Sequence, residues 1–560
     1  MRKQKDIKTI AQRYRDAVYT RVRKEQSTDQ EYYDDSFDVP EVQAPHHIYR
    51  SGLGVRIIDA PAEQIVTSNP QATLDIIKGS KDSVSRISRM MNKQWLHTLR
   101  RQNPNPFKET VKNPLLRGET FIRLVANPAW TVSNQNRGLP VHFIKPDPMV
   151  IFASPEEDDD GVPEIVVVFY NRQLKDVLVA YPSFTNPKKH DIDKTTPQVE
   201  WMEFWDNDTR YAEADGEPVL GGVKPNPYGF TPFVRRYSGF GRRSPDGELA
   251  HLIVSDVRRS RDLLLEECAT RSNIASIQYL YAHKDIMVTS PGEINVENFK
   301  ENIKLGADVV NILDMLPEGT EVGVGLSRNL EQVADTTLQH HRDIIGELNQ
   351  RHPFIIAGFP FGTSGRQQSM TQMSGMRRYD SVVENAETMW ATALERAWRI
   401  CQKLDLQPPD INKQDIKSEF RAMVDLRAKD PTEQSQKIVM GDRLWAMGKG
   451  SISLRRFHME YQNLTSEESD DEMARIFSDQ LMFYNPQIAA ALAATAAREG
   501  GLEEALELLR QQGQEGLRQP PAPTTMQRVK GEAETELGFE QSPEPLRGAR
   551  QSPELFTRNR

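Results

Sequence analysis

The sequence predicts an α+β fold in which helices and strands keep to separate stretches of chain. Residues 118–237 break into short β-type runs set apart by Pro, Gly, Asn and Asp, while the segments on either side place apolar residues three and four apart, the helical period. Between two of those helical stretches lies a glycine-rich apolar segment, residues 353–366 (PFIIAGFPFGTSGR), with no acid, lysine or catalytic dyad. Its Phe354, Ile355, Ile356, Phe359 and Phe361, broken by Gly358, Gly362 and Gly365, are too few to span a bilayer and too glycine-rich for a strand interior. Such a segment needs protein or polymer to lean on.

A chain of 560 residues has room for about three or four domain-sized units. Its net charge of −9 argues against a generic basic nucleic-acid binder, so any DNA contact has to be local. Cys268 and Cys401, the two cysteines, exclude a disulfide scaffold or a cysteine zinc site and fit a reducing compartment. The first residues carry charge without an apolar core of a signal peptide, and no run approaches the roughly 18 apolar residues of a membrane span, so a soluble, cytosolic chain is expected.

In order along the chain, residues 6–22 place Ile7, Ile10, Tyr14, Ala17 and Val18 on one face of an amphipathic helix, and an acidic, turn-rich connector is expected over residues 29–41. A packed helix is predicted over residues 80–101 from Val84, Ile87, Met90, Met91, Trp95 and Leu99. Strands are predicted over residues 120–125, 141–144, 150–152, 165–170, 199–205 and 232–237, forming a mostly antiparallel β-domain. Within it residues 156–161 (EEDDDG) lack the later glutamate of a calcium loop and are expected as an acidic hairpin tip. Ser244 and Pro245 are expected to open a long helix with its apolar stripe on Leu249, Leu252, Ile253, Val257, Leu263 and Leu264. Residues 274–328 read as a small α/β insert, with strands at 277–282, 286–288 and 309–313 and a short helix at 296–303. A helix over residues 330–350 is stopped by Pro353. After the glycine-rich segment, Ser369 and Gln372 have capping-box spacing for a helix running to about residue 404, with Gly375 as its expected bend. Helices at 432–447, 486–498 and 502–511 precede a polar, proline-rich tail from residue 513, which is expected to be disordered.

Several local patterns join this order. Residues 147–152 (DPMVIF), 230–237 (FTPFVRRY), the Ser374-Gly375 pair and Gly450-Ser451-Ile452-Ser453 before an acidic stretch are each similar to short elements of bacteriophage portal proteins, and together they cover roughly residues 115–480. The succession resembles that family: a portal-like α+β fold with a β-rich wing, long stem helices, a small α/β clip, a long kinked wing helix and a helical crown. On that resemblance residues 1–114 are the N-terminal helical part of the wing, 115–243 its β-rich part, 244–273 the first stem helix and 274–328 the clip. Residues 329–352 are then the second stem helix, 353–371 the tunnel loop, 372–465 the long wing helix and its connection to the crown, 466–512 the crown and 513–560 a low-complexity tail.

The resemblance implies a dodecameric ring at one capsid vertex of a virion, assembled in the host bacterial cytoplasm with the major capsid protein and scaffold. It would be the channel for packaging and ejecting double-stranded DNA, and the docking site for the large terminase and head-tail adaptors, with no membrane and no cofactor. Phe354, Ile355, Ile356, Gly358, Phe359, Phe361, Gly362, Gly365 and Arg366 would face DNA, and Glu293, Glu297 and Lys300 would belong to the docking face of the clip. The alternative is a non-enzymatic phage structural or adaptor protein, such as a capsid or baseplate subunit.

An enzyme is not indicated. Residues 358–365 lack the Lys-Ser or Lys-Thr of a phosphate loop, and Gly448-Lys449-Gly450 lacks the hydroxyl that binds magnesium. His340 and His341 are adjacent and so are expected on different helix faces, which with His352 makes a paired metal site an unfavoured reading; core or exposed histidines are expected. Asp256 with Asp262, and Glu266 with Glu267, read as solvated helix faces.

Overall fold

The computed structural model describes residues 2–39, 48–133, 138–184, 197–282, 286–289, 321–324, 330–352, 375, 377–427, 431–446, 449–462, 464 and 466–484. The fold is mixed α+β. At the N-terminus α1 (Gln4–Arg13) passes through a wide π turn (Tyr14–Val18) into α2 (Thr20–Tyr33). The helix continues where a turn-rich connector was expected, because Asp29 lies on the buried face of α2 with Val22 and Gln26 and pairs with two arginines. Next come α3 (Leu53–Ile65) and β1 (Val66–Lys78), a long strand that the helical patterning of the first 114 residues does not foreshadow. The helix expected over residues 80–101 forms as α4 (Lys81–Met90), a π turn (Met91–Leu96) and α5 (His97–Arg100), with all six predicted apolar residues buried and Ser80 capping through Ser83 N–H. Helix α6 (Pro106–Arg117) ends at Gly118, whose φ of +80 lets the chain reverse directly into a strand.

The strands are β2 (Glu119–Ala126), β3 (Val141–Ile144), β4 (Ile151–Ala153), β5 (Val166–Gln173), then helix α7 (Leu174–Ala180), β6 (Gln198–Trp205), β7 (Thr209–Ala214), β8 (Glu217–Pro218), β9 (Lys224–Pro225) and β10 (Phe233–Tyr237). All six predicted runs are strands. They make a three-stranded sheet, β10-β2-β3, and a six-stranded sheet, β4-β5-β6-β7-β8 with β9 beside β7, and every pairing is antiparallel. Alternation along β6 divides the six-stranded sheet: Val199 and Trp201 pack with Leu174 and Val177 of α7, while Met202 and Phe204 pack with Ile7, Ala11 and Tyr14 from the N-terminal helices.

The long helix expected from Ser244 does not begin there. Residues 249–251 and 258–260 are short 3-10 turns, and α8 starts at residue 261 (Arg261–Ala282). The backbone between the turns is held by tertiary contacts instead: Ser238 Oγ donates to Val254 O, the Asp256 amide donates to Leu115 O, and Arg258 donates to the carbonyls of Ala250 and Ile253. Residues 277–282, expected as a strand, continue α8, so their β-branched and aromatic content is overridden by helical context.

Next are β11 (Ile286–Thr289) and β12 (Glu321–Val324), paired antiparallel with Thr289 opposite Glu321. Helix α9 (Leu330–Arg351) ends before Pro353, as the sequence indicates. Helix α10 (Asp380–Lys403) is preceded by a turn at Arg378 and Tyr379, and the residues on either side of Gly375, the expected bend, lie outside the described residues. It crosses the body on a nearly continuous buried face that includes Val382, Val383, Ala386, Trp390, Ala393, Leu394 and Ala397. Strand β13 (Glu419–Arg427), also without a forewarning in the sequence pattern, pairs with β1 as a ribbon against α10. Helices α11 (Pro431–Trp445) and α12 (Leu454–Arg456) follow, and α13 (Ser466–Tyr484) reaches past residue 469, where the first of two compact units ends. Of the second unit, residues 470–560, only 470–484 are described. The expected strand at 309–313, the helices at 296–303, 486–498 and 502–511, the Ser369/Gln372 cap and the tail from 513 lie outside the described residues.

Candidate functional site: the root of a helix pair

Helices α8 and α9 are antiparallel neighbours, since contacts that climb α8 descend α9. At the body end Ser260 meets His352, and further out Glu266 and Glu267 meet His340 and His341. Each helix has 22 residues, or about 33 Å at 1.5 Å per residue. Only every fourth residue of α9 is buried over its described half, at Ile344, Leu348 and then His352 beyond its end, so the seam is narrow.

The densest chemistry is at the root. Asp256, Ser260 and His352 are each no more than 1% exposed. Ser260 Oγ lies 2.7 Å from His352 Nε2, and His352 Nδ1 lies 3.2 Å from an Asp256 carboxylate oxygen. Arg378, from the turn before α10, donates to the other oxygen at 2.7 Å, and Arg259 approaches to 4.0 Å. One carboxylate therefore ties together the approach to α8, the end of α9 and the head of α10. Burial pushes Asp256 upward, but His352 and Arg378 outweigh it and hold the carboxyl below its ordinary value. Burial lowers His352, with Arg378 and Arg259 acting in the same direction against the pull of Asp256. Burial likewise raises Tyr379, whose hydroxyl also faces Asp256.

A second cluster braces the first. Arg261 donates to Asp29 at 2.7 and 3.0 Å and to Glu25 at 2.7 Å, while Arg258 lies 3.5 Å from Asp29 and 3.4 Å from Glu25. Desolvation raises Asp29 in spite of both arginines. Farther along the pair His340 lies 2.9 Å from Glu266, and His341, 3.6 Å from the buried Glu267, receives Arg271 Nε at 3.1 Å. His340 thus meets an exposed carboxylate and His341 a buried one, and Asp256 and Glu267 are buried ion-pair members where solvated helix faces were expected.

No family model matches this sequence, and no curated protein does. Among solved structures the chain has a likeness to the neck of a native GTA particle computed with C12 symmetry, at 14% identity and a TM-score of 0.38, covering 78% of this chain and 92% of that one. The neck of an empty GTA particle computed with C6 symmetry gives 14% and 0.36 over 72% and 89%, and the virion of a native gene transfer agent particle 14% and 0.34 over 77% and 97%. TM-scores of this size do not establish a shared fold.

Ser260, His352 and Asp256 have the connectivity of a hydrolase triad, but the hydroxyl is enclosed and its neighbours are helix ends, so the arrangement serves packing. The tunnel-loop residues Phe354, Ile355, Ile356, Gly358, Phe359, Phe361, Gly362, Gly365 and Arg366, and the clip residues Glu293, Glu297 and Lys300, lie outside the described residues. What the structure does bring together is the chain on either side of them: His352 and Arg378 share Asp256, and Thr289 pairs with Glu321. The acidic segment 156–161 turns between β4 and β5, but it is docked. Asp158 and Asp160 receive Arg396 of α10 at 2.6 and 2.8 Å. Asp246, Glu248 and His251 form an exposed group with metal-ligand spacing, although Glu248 is already paired with Arg21. A signal for the second cluster was present in the sequence: Gln26 and Asp29 occupy the seam positions that Val22 begins, and polar residues in a seam need buried partners.

Proposed function

We propose that this chain is the subunit of a phage portal, a ring at one capsid vertex through which double-stranded DNA is packaged and ejected. The observation that carries the reading is the helix pair α8–α9. It leaves a body of antiparallel sheets, holds the β11–β12 ribbon between its two helices, and returns to the point where the long helix α10 begins. That is the order of wing, stem, clip, stem and wing helix. The narrow seam of α9 leaves most of its described surface for neighbouring subunits or a channel. With a net charge of −9 the protein avoids the tight counterion-release binding that clustered lysines create, which suits a polymer that has to slide.

On this reading residues 353–371 supply the tunnel loop, residues 274–328 the clip that docks the large terminase and head-tail adaptors, and residues 466–512 the crown. The chain homo-oligomerises and assembles with the major capsid protein and scaffold in the host bacterial cytoplasm, and no catalytic role is assigned. Electron microscopy of the purified protein tests the reading. End-on views are expected to show a ring, dodecameric by the family resemblance, with a hole wide enough for duplex DNA, and a folded monomer or dimer without a channel overturns it. Within rings, deleting residues 358–365 is expected to leave assembly intact and impair packaging or retention of DNA. Reversing charge at Glu293, Glu297 and Lys300 is expected to weaken terminase binding without dissolving the ring.

A further inference from the structure

We propose that Asp256, His352 and Ser260 form a proton-operated latch: with His352 neutral it holds the end of α9 against the approach to α8 and the head of α10, and on protonation it releases that end. The inference stands apart from the portal reading, because it concerns contacts within one chain.

In the neutral state one ring nitrogen of His352 is hydrogen-bonded and the other stands in ion-pair range of a carboxylate. With Nδ1–H facing Asp256 at 3.2 Å, Nε2 carries a lone pair that accepts from the Ser260 hydroxyl at 2.7 Å. A second proton turns Nε2 into a donor, so Ser260 has to reverse its role. The proton also adds a cation to a buried group that already holds two. Arg378 lies 2.7 Å and Arg259 4.0 Å from the one carboxylate. An imidazolium at a site 1% exposed therefore faces two positive charges with one negative charge between them.

Each packed element contributes to this balance. The approach to α8 supplies Asp256 and Arg259, while Arg258 is turned away to Glu25 and Asp29. The end of α9 supplies Arg351, which is occupied by Glu347 and by the carbonyl of Arg259. The head of α10 supplies Arg378 and Tyr379. Among the described residues Asp256 is the carboxylate within ion-pair range of His352. The burial that lowers His352 sets the opening below the ordinary histidine value of 6.5.

Hydrogen exchange of the full-length protein, read by mass spectrometry on the peptide spanning residues 344–352 between pH 7.5 and 5, tests this. Strand β6 in the same molecule corrects for the intrinsic pH dependence of exchange. The α9 peptide is expected to lose protection relative to β6 by about tenfold per pH unit once His352 titrates. His352→Asn keeps a donor toward Asp256 and is expected to abolish the pH dependence. Ser260→Ala removes the hydrogen bond that favours the neutral ring and is expected to move the midpoint upward. Protection that stays level across the range in the wild type, or that falls identically in His352→Asn, overturns the latch; if His352→Asn does not fold, an unmoved midpoint in Ser260→Ala does so. Rings lacking the pH response would remove the latch and leave the portal reading, and a channel-free monomer showing it would do the reverse.

Discussion

Asp256 shows how a single side chain can be invisible as a pattern and central as a contact. Local sequence places it beside Asp262 on an ordinary helix face, yet the chain around it is not helical, and the carboxylate is fully buried among His352, Arg378 and Arg259. Asp256→Asn keeps the shape and removes the charge, leaving Arg378 without its counterion, and is expected to cost on the order of 3 kcal/mol in a thermal or urea melt. The pH dependence follows from the same groups. His352 is lowered from 6.5, so the unfolded chain binds more protons below that value, and stability falls as pH drops from about 6.5 toward the native-state value of the ring. Asp256 is lowered from 3.8, and Asp415 is pulled down to about 2 by its hydrogen bonds to Arg86. The stability they contribute is fully present above 3.8 and is lost as pH falls below it. An acid melt is thus expected to show two steps, with His352→Asn removing the upper one only. Gly118 is the backbone counterpart. At φ +80, with an added Cβ falling 2.6 Å from Val254 N, Gly118→Ala is expected to lose roughly 1–3 kcal/mol from backbone strain before any clash is counted.

At the scale of elements, legibility followed whether a segment's own period decided its structure. Ile87, Met90, Trp95 and Leu99 announce a helix because each faces the same core, and the short β-type runs from Thr120 to Tyr237 announce strands because each run supplies apolar residues to the nearest core. Leu249, Ile253 and Val257 have helical spacing as well, but the segment spends backbone hydrogen-bonding groups on Leu115 and Ser238, partners no local window contains, and on the Arg258 side chain. Strands β1 and β13 stabilise each other across more than 300 residues of chain, with Val66 opposite Arg427, so neither is legible without its partner. Helix α10 provides the test of packing. Trp390 is fully buried against Phe107 and Phe143 and donates to Thr110, and Trp390→Ala is expected to cost about 3–5 kcal/mol in a melt. Leu338 on α9 is 40% exposed, so Leu338→Ala is expected to stay within about 0.5 kcal/mol in a single subunit. A larger loss that appears only in assembled rings would locate Leu338 in a contact between neighbours.

For the whole molecule, the order of elements was the legible part and the wiring between them was not. The β-rich region, the following helices, the β11 strand, the helix stopped by Pro353 and the long apolar helix all stand in the predicted sequence. The ion pairs that join them depend on residues far apart in the chain, some 230 positions for Asp29 with Arg258 and Arg261 and 122 for Asp256 with Arg378, and carry no local signature. Limited proteolysis is expected to trim the proline-rich stretch after residue 513 while the oligomer persists, which size-exclusion chromatography would read.

The β11–β12 ribbon has a further consequence for the segment it closes. Thr289 and Glu321 stand opposite each other, and paired strands hold facing residues about 5 Å apart. The 31 residues between them therefore leave and re-enter through one doorway. Inserting or deleting residues between Thr289 and Glu321 leaves unchanged the short span that the two ends have to bridge, so the strand pairing sets no length for the segment it closes.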